Sequence, residues 1–296
     1  MSTDRHQDET AELQGVEMCL SLQGGLGNQL FQWAFATSSA AAGADVTLDT
    51  VRLRGDRPLA LGGLADDFAR LHRWHGLLLA GIERTTRPFA RAPLRTVVEE
   101  DFPFDSTLRS RLRGRVYVLG YFQSFRYFQD VSDFVRTAVR AELGSQLTPA
   151  GLALRADLES DPTSVAVHVR RGDYVSNPIA AQHHGVLSPE YYRGALAAMR
   201  NRGLTTPVWF SDDPDFVRRE LASPNDRVCP VGVARSAGGE IALMAACSGR
   251  IIANSSFSWW AGWLGTPGSP VIAPLHWFAA GNREIAQLLP ATWIRA

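Results

Sequence analysis

Short apolar runs rich in β-branched residues recur along this chain, and most are followed by a glycine-rich or polar break and then by a helical pattern. Residues 16–22, 44–48, 115–119, 164–169, 208–211, 227–231, 250–253 and 270–273 read as strands. Near-continuous apolar strands that alternate with helices form parallel sheets covered on both faces. The chain is therefore expected to be α/β, with helical crossovers between parallel strands. Its 296 residues are enough for two such units.

Helices are expected at 28–42, 124–143, 189–202, 214–222, 240–247, from 256 and at 282–289. Asn28 would cap the first, and Leu30, Phe31, Ala34 and Phe35 give it an apolar face. Ser188 and Pro189 suit the cap and first turn of the third. The polar stretch 1–15 reads as a disordered leader without the apolar core of a signal peptide. Residues 51–114 are arginine-rich and irregular. Gly144, Pro149 and Pro162 mark 144–162 as the join between an N-terminal half, 16–155, and a C-terminal half, 156–280, with 281–296 as a tail carrying the last helix. A cleft between halves is a default ligand site.

Formal net charge is zero, which argues against nucleic acid or an anionic membrane as a bulk partner. All thirty basic residues are arginine, so a lysine nucleophile or Walker lysine is excluded. Cys19, Cys229 and Cys247 are dispersed, match no zinc spacing and suit a reducing cytoplasm. No apolar run is long enough to span a bilayer.

Four stretches carry chemistry. Gly24, Gly25, Gly27 and Asn28 lie in a loop between strand and helix, where backbone and helix N–H groups can approach an anion. A dinucleotide fingerprint would need glycine where Leu30 stands. The second stretch, His168-Val169-Arg170-Arg171-Gly172-Asp173-Tyr174, places paired guanidinium groups at a strand end, a fork suited to phosphate. Here Asp173 is expected to pair with one arginine while the other faces the ligand.

The third stretch is Ser211-Asp212-Asp213-Pro214-Asp215. It imitates a metal-binding DxD, but Asp213 before Pro214 reads better as a helix cap, leaving Ser211 and Asp212 nearer a ligand. The fourth joins Glu240 to Asn254, Ser255, Ser256 and Ser258 at another strand-to-helix junction. Trp259, Trp260 and Trp263 read as core.

Together these stretches resemble the bacterial α-1,2-fucosyltransferases, glycosyltransferase family 11. Gly24–Gln29, His168–Tyr174 with Asn177-Pro178 and His184-Gly185, and Ile251–Trp260 look like that family's motifs in its order; Gly120-Tyr121-Phe122-Gln123-Ser124 is also similar. The resemblance implies a GT-B fold of two facing Rossmann-like domains, with the acceptor on the N-terminal side and GDP-β-L-fucose on the C-terminal side. It implies inverting transfer of fucose to the 2-hydroxyl of a galactose-containing acceptor, a free or lipid-linked glycan. No metal is expected. Arg170 or Arg171 would bind the β-phosphate, His168 would lie near the nucleotide, Glu240 would read guanine, and 254–258 would hold the diphosphate. His184, or Asp173, would be the general base. The implied location is cytoplasmic, with or without peripheral attachment to the inner face of the membrane. The alternatives are a GT-B transferase using another nucleotide sugar and a catalytically silent glycan-binding protein.

Overall fold

The computed structural model describes residues 13–53, 57–71, 94–100, 102–172, 185–278 and 287–296. Two all-parallel sheets organise it. The first has strand order β3-β2-β1-β5-β4, built from β1 (Glu17–Ser21), β2 (Asp45–Asp49), β3 (Ala69–Leu71), β4 (Arg95–Val98) and β5 (Arg115–Leu119). The second has order β11-β10-β9-β6-β7-β8. Its strands are β6 (Ser164–Val169), β7 (Thr206–Ser211), β8 (Arg227–Val228), β9 (Gly249–Ile251), β10 (Val271–Ala273) and β11 (Ile294–Arg295). Strand order reverses between β1 and β5 in one sheet and between β6 and β9 in the other. Such switch points open a crevice at the strands' carboxyl ends.

The helices are α1 (Leu26–Ala41), α2 (Leu108–Arg111), α3 (Ser132–Ser145), α4 (Pro149–Ser160), α5 (Pro189–Arg200), α6 (Pro214–Glu220), α7 (Ala237–Ala246) and α8 (Ser256–Leu264). Helix α1 begins two residues before the expected cap: Gly25 is its N-cap, and Asn28 lies within the first turn, its side chain accepting a hydrogen bond from Gln123 Nε2 at 2.7 Å. The stretch read as a join contains α4. Thr148 caps it and Pro149 opens it, so the proline that suggested a break is a starting signal. The helix expected at 124–143 is divided: a 3₁₀ segment, Phe125–Val131, with non-helical backbone at Phe128, precedes α3.

At the chain ends, Leu13 is fully buried rather than part of a leader, and its N–H donates to Ala42 O at 2.7 Å. Ile294–Arg295 extends the second sheet as β11, and the helix expected at 282–289 falls mainly on residues outside those described.

One hydrophobic core runs through both halves. It joins Leu20, Phe31 and Phe128 to Phe210, Ile252, Trp259 and Trp260. Phe31 lies 4.5 Å from Trp259 and 5.0 Å from Trp260, ring centre to ring centre, and Phe128 stacks on Trp260 at 5.7 Å. A second core, including Val165, Val167, Tyr192 and Trp209, fills the other face of the β6–β9 sheet.

Helices α1 and α8 meet at their N-termini. A Cβ on Gly27 would stand 2.4 Å from Phe257 N and 2.5 Å from Ser256 C, closer than backbone tolerates. The Trp260 indole N–H donates to Gly27 O at 2.9 Å across the same contact. Gly27→Ala is expected to lower stability by about 1–3 kcal/mol through overpacking. Gly194→Ala, on α5 with open space around its Cβ, should raise it by ~0.5–1 kcal/mol through helix propensity. Urea midpoints of both variants check this; equal shifts would remove the packing role of Gly27.

Candidate active site

Strand β6 delivers the second motif to the switch point. His168 and Val169 end the strand with side chains on opposite faces, and Arg170 and Arg171 follow directly after it. His168 turns towards α8: its Nδ1 shares a 3.0 Å hydrogen bond with Ser258 Oγ, and its ring lies 5.4 Å from that of Phe257. Arg170 follows at the carboxyl end of the same strand, and its charge acts on His168.

Arg171 turns the other way. Its Nε donates to Asp213 Oδ2 at 3.1 Å, its guanidinium lies 3.6 Å above the Phe216 ring, and its backbone N–H donates to Asp212 Oδ1 at 2.9 Å. Arg170 Nη1 pairs with Asp212 Oδ2 at 2.9 Å. The two arginines thus have separate carboxylates, both from the β7–α6 junction. The parallel register sets Val169 opposite Ser211 and brings the two junctions together. Asp173 and His184 lie outside the described residues; among the described residues, Asp212 and Asp213 are the carboxylates that pair with the two arginines.

The DxD look-alike separates into two uses. Asp213 caps α6, accepting from Phe216 N–H at 3.0 Å. That bond, followed by Arg171, holds its carboxyl below the ordinary range. Asp215 is exposed and pairs with Arg218 at 3.2 Å. Ser211 Oγ donates to Val169 O and accepts from Asp213 N–H, so its hydroxyl braces the junction.

The polar run after β9 is also partly committed. Ser255 caps α8 by accepting from Ser258 N–H at 3.1 Å. Ser258 Oγ accepts from Ala253 N–H at 2.8 Å and contacts His168. Asn254 is buried and donates to Gly185 O and Trp277 O, each at 3.3 Å, which ties two loops to the junction. Ser256 is half-buried in the first turn of α8, where unpaired N–H groups and the helix dipole favour an anion.

Glu240 stands in the first turn of α7, three residues further inside the helix than expected, because Ser236 is the cap. Burial, and then the charge of Asp212, push its carboxyl above the usual range. Asp212 is therefore the hub: it pairs with Arg170, accepts from Arg171 N–H, and acts on His168 and Glu240.

On the opposite sheet, Gly24 has φ +78°, and a Cβ there would be 2.4 Å from Asn28 Nδ2. Gln29 pins this loop, donating to Gly24 O and Pro58 O at 2.9 Å and accepting from Ala60 N–H. Beside it, residues 120–124 are held by Glu99, Gln32 and Gln123. Local patterning misses Glu99 and the pairings of Gln32 and Gln123, because the partners are 22 or more positions apart.

Residues 107–294 match the family described as Glycosyl transferase family 11. An Escherichia coli alpha-1,2-colitosyltransferase is 30% identical over 292 residues, covering 93% of this chain and 97% of that one. The chain belongs to glycosyl transferase family 11. The O-antigen biosynthesis glycosyltransferase WbnK of E. coli is 36% identical over 134 residues, 44% of each chain. A glycosyl transferase family 9 structure from Veillonella parvula superposes with a TM-score of 0.50 at 10% identity, covering 96% of this chain and 88% of that one, a likeness of fold. The glycosyltransferase has the GT-B architecture, with two parallel α/β units whose strand ends carry the polar loops. Among the described residues, no helix is long and apolar enough to cross a membrane.

Burial pushes the His168 imidazole down from 6.5 to about 4, so it is neutral at pH 7. Between those values the unfolded chain takes up a proton that the folded glycosyltransferase refuses. Its contribution is complete above pH 6.5 and is lost as pH falls towards 4, amounting to about 3 kcal/mol. His168→Gln should flatten this acid limb. Thermal midpoints of both proteins across that window test it, and parallel curves would exclude His168 as its source.

Proposed function

We propose that this protein transfers L-fucose from GDP-β-L-fucose, with inversion, to the 2-hydroxyl of a galactose-containing glycan. The observation that carries the proposal is Arg170. It follows β6 at the β6/β9 switch point, the strand whose His168 meets the first turn of α8, and a carboxylate orients it. A diphosphate seated there would meet a guanidinium fork and helix N–H groups together. Glu240, a half-buried carboxylate with no ion pair among the described residues, suits the adjacent N–H donors of guanine.

In the reaction, the acceptor oxygen forms a bond to C1 of fucose while the bond from C1 to the β-phosphate oxygen breaks. GDP departs with the electron pair, and the acceptor proton passes to a base, for which His184 and Asp173 are the candidates. Negative charge grows on the leaving diphosphate. Arg170 and the α8 N-terminus stabilise it, and no metal is required of this design. Asp212 fixes Arg170 beforehand, so little reorganisation accompanies the charge movement. Arg171, gripped by Asp213 and Phe216, acts as a brace that holds Arg170 and the α6 junction in place. We place the reaction in the cytoplasm, with soluble or lipid-linked acceptors.

Incubation with GDP-fucose and a galactoside panel, followed by linkage analysis, tests the reading; an α-1,2-fucosylated product is expected. No product with any galactoside would sink it. The relative that matches nearly the whole chain is a colitosyltransferase, so a colitosyl donor is the second reading, and a parallel incubation with one decides between them.

Arg170→Ala should reduce turnover ~10²–10³-fold while leaving the fold intact. Arg171→Ala should act mainly by lowering the unfolding midpoint. Equal turnover in wild type and Arg170→Ala would reject the assignment. Glu240→Gln, which removes the charge but keeps the shape, should weaken GDP binding by about 10–100-fold. Calorimetry with GDP and UDP measures this; unchanged GDP affinity would release Glu240 from the role.

A further inference from the structure

At the carboxyl end of β5, the loop Gly120–Ser124 is held more firmly than any connection needs. Phe122 has φ +51°, a left-handed conformation that a bulky residue rarely adopts. Its surroundings over-determine it. The Phe122 ring is fully buried and stacks on Phe35 at 4.3 Å. Glu99, just beyond β4, accepts from both Tyr121 N–H at 2.9 Å and Phe122 N–H at 3.0 Å through Oε2. Gln32 donates to Gly120 O at 2.9 Å and accepts from Gln23 N–H, which joins this loop to the glycine loop. Gly120 admits no Cβ, because one would stand 2.7 Å from Glu99 Cβ and from Phe122 Cζ.

The result of this clamp is the position of Tyr121. Its neighbour Phe122 is buried, while Tyr121 is 41% exposed at the β1/β5 switch point. A large aromatic that could have packed inside is instead presented on a rigid, strained support. Strain of this kind is retained where it presents a functional group. Arg170 and Arg171 lie at the end of the other sheet, and an exposed aromatic at this end suits a neutral ring.

We infer that Tyr121 is the stacking platform for the acceptor's galactopyranose ring, with the Glu99–Phe122 clamp as its positioning device. Galactose offers a matching surface: its C3, C4 and C5 hydrogens share one face and make an apolar patch, while its hydroxyls project from the edges. A rigid aromatic binds such a patch with little loss of conformational freedom. The inference rests on the galactoside reading above and adds a residue that sets acceptor affinity rather than donor chemistry.

The test uses the full chain with methyl β-D-galactopyranoside and lactose as probes. Saturation-transfer NMR reads galactoside binding, calorimetry reads GDP binding, and lactose kinetics read transfer. Tyr121→Ala should raise the lactose KM at least tenfold and abolish saturation transfer, with kcat and GDP affinity within twofold of wild type. Tyr121→Trp should restore both losses, because stacking needs a ring and not a hydroxyl. Unchanged KM in Tyr121→Ala, or equal losses in Tyr121→Ala and Tyr121→Trp, would overturn the platform while leaving fucosyl transfer standing. Tyr121-dependent galactoside binding without transfer from GDP-fucose would instead overturn the donor and leave the platform. A wild type that binds neither galactoside overturns the platform outright.

Discussion

The close contact between the N-termini of α1 and α8 governs the rest of this molecule. Gly27 leaves no space for a methyl group, and Trp260 reaches from α8 to bond the Gly27 carbonyl. Because the helix ends touch, the loops that precede them are neighbours too. One carries Gly24 and Gly25 after β1; the other carries Asn254 and Ser255 after β9. The aromatic cluster of Phe31, Phe128, Trp259 and Trp260 makes that contact part of the core rather than a hinge. The loops at the two switch points therefore rest on a common, stiff base.

Much of the fold was readable because its signals are local. Buried runs such as Ser164–Val169 alternate with helices, and Asp213-Pro214 begins a helix where capping chemistry predicts. Helix α4, within the stretch read as a join, has local signals too: Thr148 supplies its cap and Pro149 its first turn. The site is harder to read, because its partnerships cross the sheet. Sequence proximity points to Asp173, which lies outside the described residues, as the counter-ion of one arginine. The parallel pairing of β6 with β7 supplies Asp212 and Asp213 from 42 positions away in its register. Glu99 was invisible for the same reason, since its carboxylate serves N–H groups on the next strand's loop.

The polar residues of the motifs divide into two kinds. Ser211, Asp213, Ser255 and Ser258 spend their hydrogen bonds on the protein and keep the junctions rigid. Arg170, paired with Asp212, and the half-buried Ser256 and Glu240 are the groups that the proposed function assigns to the ligand. A motif read as one binding surface is thus mostly scaffold with a few groups left for the proposed ligand, and the scaffold fixes their geometry.

Asp212 has a consequence beyond orientation. A carboxylate inside an anion site is a permanent competitor for the anion. It holds Arg170 from one side and acts on Glu240 from the other. Any diphosphate that settles beside Arg170 shares a guanidinium already half-neutralised, and the field it experiences is weaker than a lone arginine would create. In the proposed reaction the leaving group is also the product that must be expelled. A grip moderated by a resident negative charge stabilises the transition state, where charge is growing, and still lets the finished nucleotide go.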